Sequence, residues 1–272
     1  MPLLHVHQVH ALTPHLTRIT FTGPGLDDFP TWPDQQLKLL FPRAGHPVPD
    51  LPTEIGDRWG MAWYEAYQSL PDDERPWLRS FTVRAHHADT HRLDVDFVLH
   101  DRGPASDWAR AARPGDVIGR YGPSKVYARP LPRGDWHLFA GDETALPAIA
   151  SILETLPADV PAFVFAEVRD AGEELPLSSP AALTTRWVHR PTPGVGGLLL
   201  DAVRAALLPE GAGAAWVAGE SATVRALRRH LVDERGLPKR QVEFAGYWRR
   251  ALTQDDAPTP EDLAEAQERL DW

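Results

Sequence analysis

The chain has 272 residues and a formal net charge of −10, which argues against nucleic acid as a partner because the field of the whole molecule repels a polyanion. Hydrophobic residues make up 43% and charged residues 24%, a globular composition long enough for one large domain or two ordinary ones. Cysteine is absent, excluding disulfides and Cys-ligated zinc or iron–sulfur centres; with no membrane-length apolar run and no visible secretory leader, a cytoplasmic protein with no membrane partner is expected.

The first half reads as β structure. Leu16 to Phe21 alternates and ends at the turn Thr22-Gly23-Pro24-Gly25, and Gln36 to Phe41 is a second strand stopped by Pro42. A long connection runs from Arg43 to Pro76, with one short helix near Trp63 to Ser69. Strands are expected over Ser80 to His86 and Leu93 to His100, a helix over Ala105 to Ala112, and a strand over Val117 to Gly119. Many short strands with regular turns point to a barrel. The second half alternates in type. Strands over Trp136–Ala140, Ala162–Val168, Thr185–Val188, Ala214–Ala218 and Val242–Trp248 are interleaved with helices over Ala145–Leu156, Leu198–Leu207 and Ala222–Arg235. That order predicts an α/β domain with a parallel sheet. A tail helix starts with Thr259 as cap and Pro260 at the first helical position. The expected division is therefore 1–132, 133–255 and a C-terminal helix over 256–272.

The most informative local feature is Arg79-Ser80-Phe81-Thr82, a strand end suited to a flavin. Arg79 is a fork of donors for a diphosphate, Phe81 an apolar face for a flat ring, and Thr82 a hydroxyl for a ring nitrogen. Alternation puts Arg79 and Phe81 on one face and Ser80 and Thr82 on the other, so a flavin belongs at the end of the strand, within reach of both. Gly141-Asp142-Glu143-Thr144-Ala145-Leu146-Pro147 lies where a strand feeds a helix. Free N–H groups there favour a phosphate, whereas Asp142 and Glu143 oppose one; the other reading is a capped turn with Asp142 or Thr144 as N-cap. Gly219-Glu220-Ser221 repeats the geometry, and two such turns in one sheet support a dinucleotide crevice although no G-x-G-x-x-G is present. Gly119 to Lys125 is either a close backbone approach to a ligand or a glycine-rich hairpin. The histidines His5, His7, His10 and His15, and His86, His87 and His91, show no metal-ligand spacing, and no bound metal or side-chain nucleophile is expected.

Taken together these strings resemble the siderophore-interacting protein family, FAD-dependent ferric-siderophore reductases within the ferredoxin-reductase-like superfamily. Arg79-Ser80-Phe81-Thr82 matches the family's Arg-x-Tyr-Thr motif with Phe81 in place of Tyr. Asp96-Phe97-Val98-Leu99-His100 with Gly103-Pro104-Ala105-Ser106 is similar to the segment that wraps the FAD diphosphate. The string from Gly141 to Ile149, Trp216-Val217-Ala218-Gly219-Glu220, and Gly246-Tyr247-Trp248-Arg249-Arg250 match three more, with Ala251 where the family usually carries Gly. The resemblance implies an N-terminal antiparallel FAD-binding β-barrel followed by an α/β domain for NADPH or NADH. The cofactor residues it implies are Arg79, Ser80, Phe81, Thr82, Asp96, Val98, His100, Gly103, Ala105, Ser106, Asp142, Thr144, Ala145, Glu220 and Trp248. It also implies a basic pocket for the anionic ferric siderophore, assigned by position to Lys38, Lys125 and Arg249. Electrons would pass from NAD(P)H, or from a reduced ferredoxin, through FAD to Fe(III), with no protein acid or base and Thr82 tuning the flavin. Arg169 and Arg186 are candidates for a 2′-phosphate, and Trp272 for a cover on the flavin. The alternatives are a reductase of the same fold with another acceptor, and a ferric-chelate binding protein with little turnover.

Overall fold

The computed structural model describes residues 2–43, 45–46, 61–101, 103–123, 130–190, 197–250, 252, 259–261, 263–264 and 267. Lys125 and Trp272, both singled out by the sequence, lie outside them. The chain forms two compact units: residues 1–130, 146–156 and 171–180 make the first, and 131–145, 157–170 and 181–272 the second.

The first unit is built on seven strands, β1 (Leu3–Thr13), β2 (Leu16–Thr22), β3 (Gln36–Phe41), β4 (Trp77–Thr82), β5 (Ala85–His87), β6 (Arg92–Val98) and β7 (Val117–Tyr121). Their order is β4-β3-β7-β1-β2-β6-β5, with every pairing antiparallel. The two edge strands, β4 and β5, are separated in the chain by Val83 and Arg84 alone, so the sheet has to curl until its edges meet. At that corner the Val83 N–H donates to the Gln35 carbonyl and the Arg84 N–H to the Asp94 carbonyl, which carries the chain from β3 to β6. The expected strand Ser80 to His86 is therefore two strands, and Thr82 is the last residue before the corner. Strand β1 was not foreseen. Leu4 and Val6 face the core while His5 and His7 face outward, and irregular pairing between Val6 and Gln8 breaks the alternation. Inside lie Leu4, Ile19, Phe21, Leu37, Leu39, Phe41, Leu93, Val95, Phe97 and Ile118. Helix α1 (Met61–Gln68) adds Trp63, stacked on Tyr121 at 4.0 Å between ring centroids. Helix α2 (Pro104–Ala111) packs against β3, β4 and β6.

The second unit is a parallel sheet of β8 (Trp136–Asp142), β9 (Pro161–Val168), β10 (Ala182–His189), β11 (Gly213–Glu220) and β12 (Val242–Trp248), ordered β10-β9-β8-β11-β12. β8 and β11 are buried along almost their whole length, as strands covered on both faces must be. The chain steps outward from β8 through β9 to β10, then returns to β11 on the other side of β8. The strand order thus reverses between β8 and β11, and ligands of such sheets gather at the carboxyl ends there. Helix α3 (Leu146–Leu153) follows β8 in sequence yet belongs to the first unit; α4 (Leu198–Arg204) and α5 (Ser221–Arg229) belong to the second. Helix α5 ends earlier than periodicity implied and continues as one π turn over His230–Glu234. Among the described residues no helix is long and apolar enough to cross a membrane, and no group of three or more His, Asp or Glu is placed to hold a metal ion. In the tail, the Leu263 N–H donates to the Thr259 carbonyl, the first helical bond after the expected cap.

Candidate functional site

In the first unit Arg79 to Thr82, the stretch expected to hold a flavin, lies along β4. Directly opposite residues of paired strands share a face, so Trp77, Arg79 and Phe81 lie with Phe41, Leu39 and Leu37 on the inner face. Ser80 and Thr82 take the other. Phe81 is half-buried and braced from behind by Phe97 at 4.5 Å and Phe41 at 6.0 Å between centroids. Trp108 of α2 leans on the same Phe41 and Phe97, which fixes the helix over this patch.

Helix α2 brings the second element of the site. Its N-cap, Gly103, has φ 142° and makes no side-chain cap, and Pro104 supplies no N–H. No acceptor for the amide N–H groups of Ala105 and Ser106 is found among the described residues. The Ser106 hydroxyl instead donates to the His100 carbonyl and ties the helix start to the end of β6. A Cβ on Gly103 would stand 2.7 Å from the His100 ring, so glycine is needed for both space and conformation. Free amides at a helix start and the Arg79 fork suit a diphosphate, and the Phe81 face and Thr82 hydroxyl suit a flavin ring. These residues fit FAD. Two residues of the expected wrap stand apart from them: Asp96 and Val98 share the outer face of β6, and both Asp96 carboxylate oxygens are taken by Arg18.

On the outer face of the same strands, Lys38 lies opposite Ser80 in β4 and Tyr121 in β7, and its ammonium donates to the Ser80 hydroxyl. Although much of the Lys38 side chain meets solvent, protein crowded round the ammonium pushes its pKa below the ordinary lysine value. No carboxylate pairs with it among the described residues.

In the second unit Asp142, at the carboxyl end of β8, holds the three strand ends together. Its Oδ1 accepts from the Thr144 N–H at 2.9 Å and from the Thr144 hydroxyl. Its Oδ2 accepts from the Glu220 N–H at 2.9 Å and the Trp248 indole N–H at 2.8 Å. Gly219 has φ 133°, and a Cβ there would come 2.5 Å from Asp142 Oδ2. The sequence strings ending β8, β11 and β12 thus meet at one carboxylate, and Ala145 joins them through its N–H to the Asp142 carbonyl. The start of α5, which the Gly219-Glu220-Ser221 turn suggested was open to a phosphate, is already filled, since Glu220 accepts from the Thr223 N–H; at α4 Glu167 accepts from the Leu199 N–H.

Sequence reasoning missed Arg190. It follows β10 and sits between Glu143 and Glu167, pairing with both. Burial, reinforced for both by the charge of Asp142, pushes the two carboxyls above the ordinary range, while Arg190 pulls back. Charged residues at the ends of buried strands were the available signal. Arg186, by contrast, lies within β10 opposite Phe165, away from the carboxyl edge. Arg249 follows β12 and forms an isolated bridge with Leu252.

A curled antiparallel sheet of seven strands, followed in the same chain by a five-stranded parallel sheet, is the ferredoxin-reductase-like fold. Family models place it more closely: residues 5–127 match the siderophore-interacting FAD-binding domain and residues 134–251 the siderophore-interacting protein model. The chain is 33% identical to the ferric vibriobactin reductase ViuB of Vibrio cholerae, over 89% of this chain and 86% of that one. It is 31% identical to the NADPH-dependent ferric-chelate reductase of Escherichia coli, over 90% and 91%. The crystal structure of a siderophore utilization protein from T. fusca superposes with a TM-score of 0.77 at 33% identity, covering 94% of this chain and 95% of that one. The chain belongs to the siderophore-interacting protein family, and its cofactor is FAD.

Proposed function

We propose that this protein reduces ferric siderophores, with electrons drawn from NAD(P)H through FAD to the chelated Fe(III). The observation that carries the reading is Lys38, a cation with no carboxylate partner among the described residues, bonded to Ser80 in the middle of the flavin motif. This ammonium shares the outer face with Ser80 and Thr82, opposite to Arg79 and Phe81, and near the strand end where both faces can be reached it is placed to receive an anionic chelate. The names of the relatives in Vibrio cholerae and Escherichia coli support the same reaction. FAD, when bound, takes an electron pair from a reduced nicotinamide and gives electrons up one at a time. The protein's part is to bind and orient: Arg79 and the α2 amides hold the diphosphate, Phe81 carries the ring, and Thr82 offers its hydroxyl to a ring nitrogen. Lys38 docks the chelate. Siderophore oxygens prefer Fe(III) to the softer Fe(II), so reduction loosens the complex and frees iron. No protein acid or base is required. The carboxyl edge at β8 and β11 is the place for the nicotinamide nucleotide in the second unit, and the cytoplasm, where reduced nicotinamide is maintained, is the compartment.

The test is an anaerobic visible spectrum recorded before and after NADH or NADPH, then after a ferric siderophore. Bleaching by the nicotinamide and recovery on adding the chelate is the expected result. Bleaching without recovery points to another acceptor, in which case a reduced ferredoxin and quinones are assayed next. Tight chelate binding with no flavin reduction leaves a binding protein.

A further inference from the structure

Trp77 stands two residues before Arg79 on the same face of β4, and two guanidinium groups converge on its indole. The Arg43 guanidinium carbon lies 3.6 Å from the ring centroid and that of Arg79 lies 5.6 Å from it. Arg43 Nε donates to the Arg75 carbonyl at 2.8 Å, which fixes the plane of the group. Its two terminal nitrogens have no acceptor, and Arg43 has no carboxylate partner, among the described residues. Arg43 is partly exposed, so a ligand can reach it.

The order along the strand gives the ligand's direction. Phe81, Arg79 and Trp77 follow one another on a single face, spaced two residues apart, so Phe81 and Trp77 are separated by about 13 Å in an extended strand. With the flavin ring at Phe81 and the diphosphate at Arg79, the next station in the same direction belongs to the adenosine side of an extended dinucleotide. We propose that Arg43, held flat on Trp77, binds the adenosine-side phosphate of FAD, making it a second guanidinium of the diphosphate site and a residue that selects FAD over FMN. The proposal rests on the flavin reading above. Trp77 is a positioning residue: it supplies the face that keeps the Arg43 fork turned toward the phosphate.

The experiment is a fluorescence titration of apoprotein with FAD and separately with FMN, which lacks the second phosphate and the adenosine. Arg43→Gln is expected to weaken FAD binding by roughly tenfold to a hundredfold, the effect of losing a charge-assisted contact, and to leave FMN binding unchanged. Arg43→Lys should fall between, because a lysine keeps the charge without the planar stack. ADP, titrated alone against apoprotein, should bind wild type more tightly than Arg43→Gln by about the same factor as FAD does. Equal FAD affinity in wild type and Arg43→Gln overturns the proposal, as does an equal loss for FAD and FMN. A wild-type protein that binds no FAD is a different failure, that of the flavin reading itself. Apoprotein melting temperatures close to wild type confirm that each variant is folded.

Discussion

Replacing Asp142 by asparagine tests whether one carboxylate joins the carboxyl ends of the second sheet. Asp142 is 5% exposed and accepts from four donors: the Thr144 N–H and hydroxyl on one oxygen, the Glu220 N–H and the Trp248 indole on the other. An asparagine has one acceptor oxygen. Whichever way its amide is turned, the NH2 group faces two donors, so two charge-assisted bonds are lost and a donor opposes donors. Each such bond contributes roughly 1.5–3 kcal/mol, and part of the loss returns as water reaches these partly buried groups, which leaves about 3 kcal/mol of net destabilisation. Because the donors come from the turn after β8 and from β11 and β12, the loss should appear in the second unit. Urea denaturation followed by tryptophan near-UV signals measures the energy, and amide hydrogen exchange at Thr144 and Glu220 reports the place. Stability within about 0.5 kcal/mol of wild type, with unchanged protection at those two amides, would refute the reasoning.

Three further outcomes are expected. Lys38→Met should raise KM for an anionic ferric chelate about tenfold, the worth of one partly exposed charge contact, and leave FAD bound. Burial lowers the Lys38 pKa, so wild-type KM should climb as pH rises through that lowered value while the Lys38→Met value stays flat; parallel pH profiles would remove Lys38 from the dock. Gly103→Ala, at φ 142° and against the His100 ring, should distort the start of α2 and weaken FAD roughly tenfold by calorimetry, and unaltered affinity would mean the α2 amides do not hold the diphosphate. Arg190→Met strands Glu143 and Glu167, and should cost about 2–3 kcal/mol at pH 8, discounted for their partial exposure. Burial and Asp142 already raise both carboxyls, and losing Arg190 raises them further above their unfolded values. The folded variant therefore gains stability by taking up protons as pH falls, so its deficit should shrink between pH 8 and pH 5. A deficit that does not change with pH would speak against the charge explanation.

Local order is legible where one short stretch contains its own reason. Alternation marked β2 and β3, an apolar run marked β9, and Thr259-Pro260 marked a helix start, because each depends on neighbours a few residues apart. The helix expected from Ala105 is present as α2, starting one residue earlier at Pro104 with Gly103 as its cap. β1 escaped notice because irregular pairing between Val6 and Gln8 interrupts its alternation and histidines occupy its outer face. The break after Thr82 was hidden because nothing in Ser80 to His86 announces a change of partner strand; the curl of the sheet, which hands the chain from β3 to β6 at Val83 and Arg84, imposes it.

The amino-acid sequence by itself showed most of the strands of the first half, the change to strands interleaved with helices in the second, and the side chains proposed for a flavin. Only the tertiary structure decided which polar groups remain available. Three helix starts end differently: those of α4 and α5 are filled by Glu167 and Glu220, whereas the first two amides of α2 find no acceptor among the described residues. Asp142 meets Trp248 across 106 residues, and Arg43 meets Trp77 from beyond the end of β3, with no carboxylate partner among the described residues. Hydrogen bonds and ion pairs are competitions among all groups that packing brings within about 3 Å of one another, so their outcome depends on distant segments that no local pattern reports.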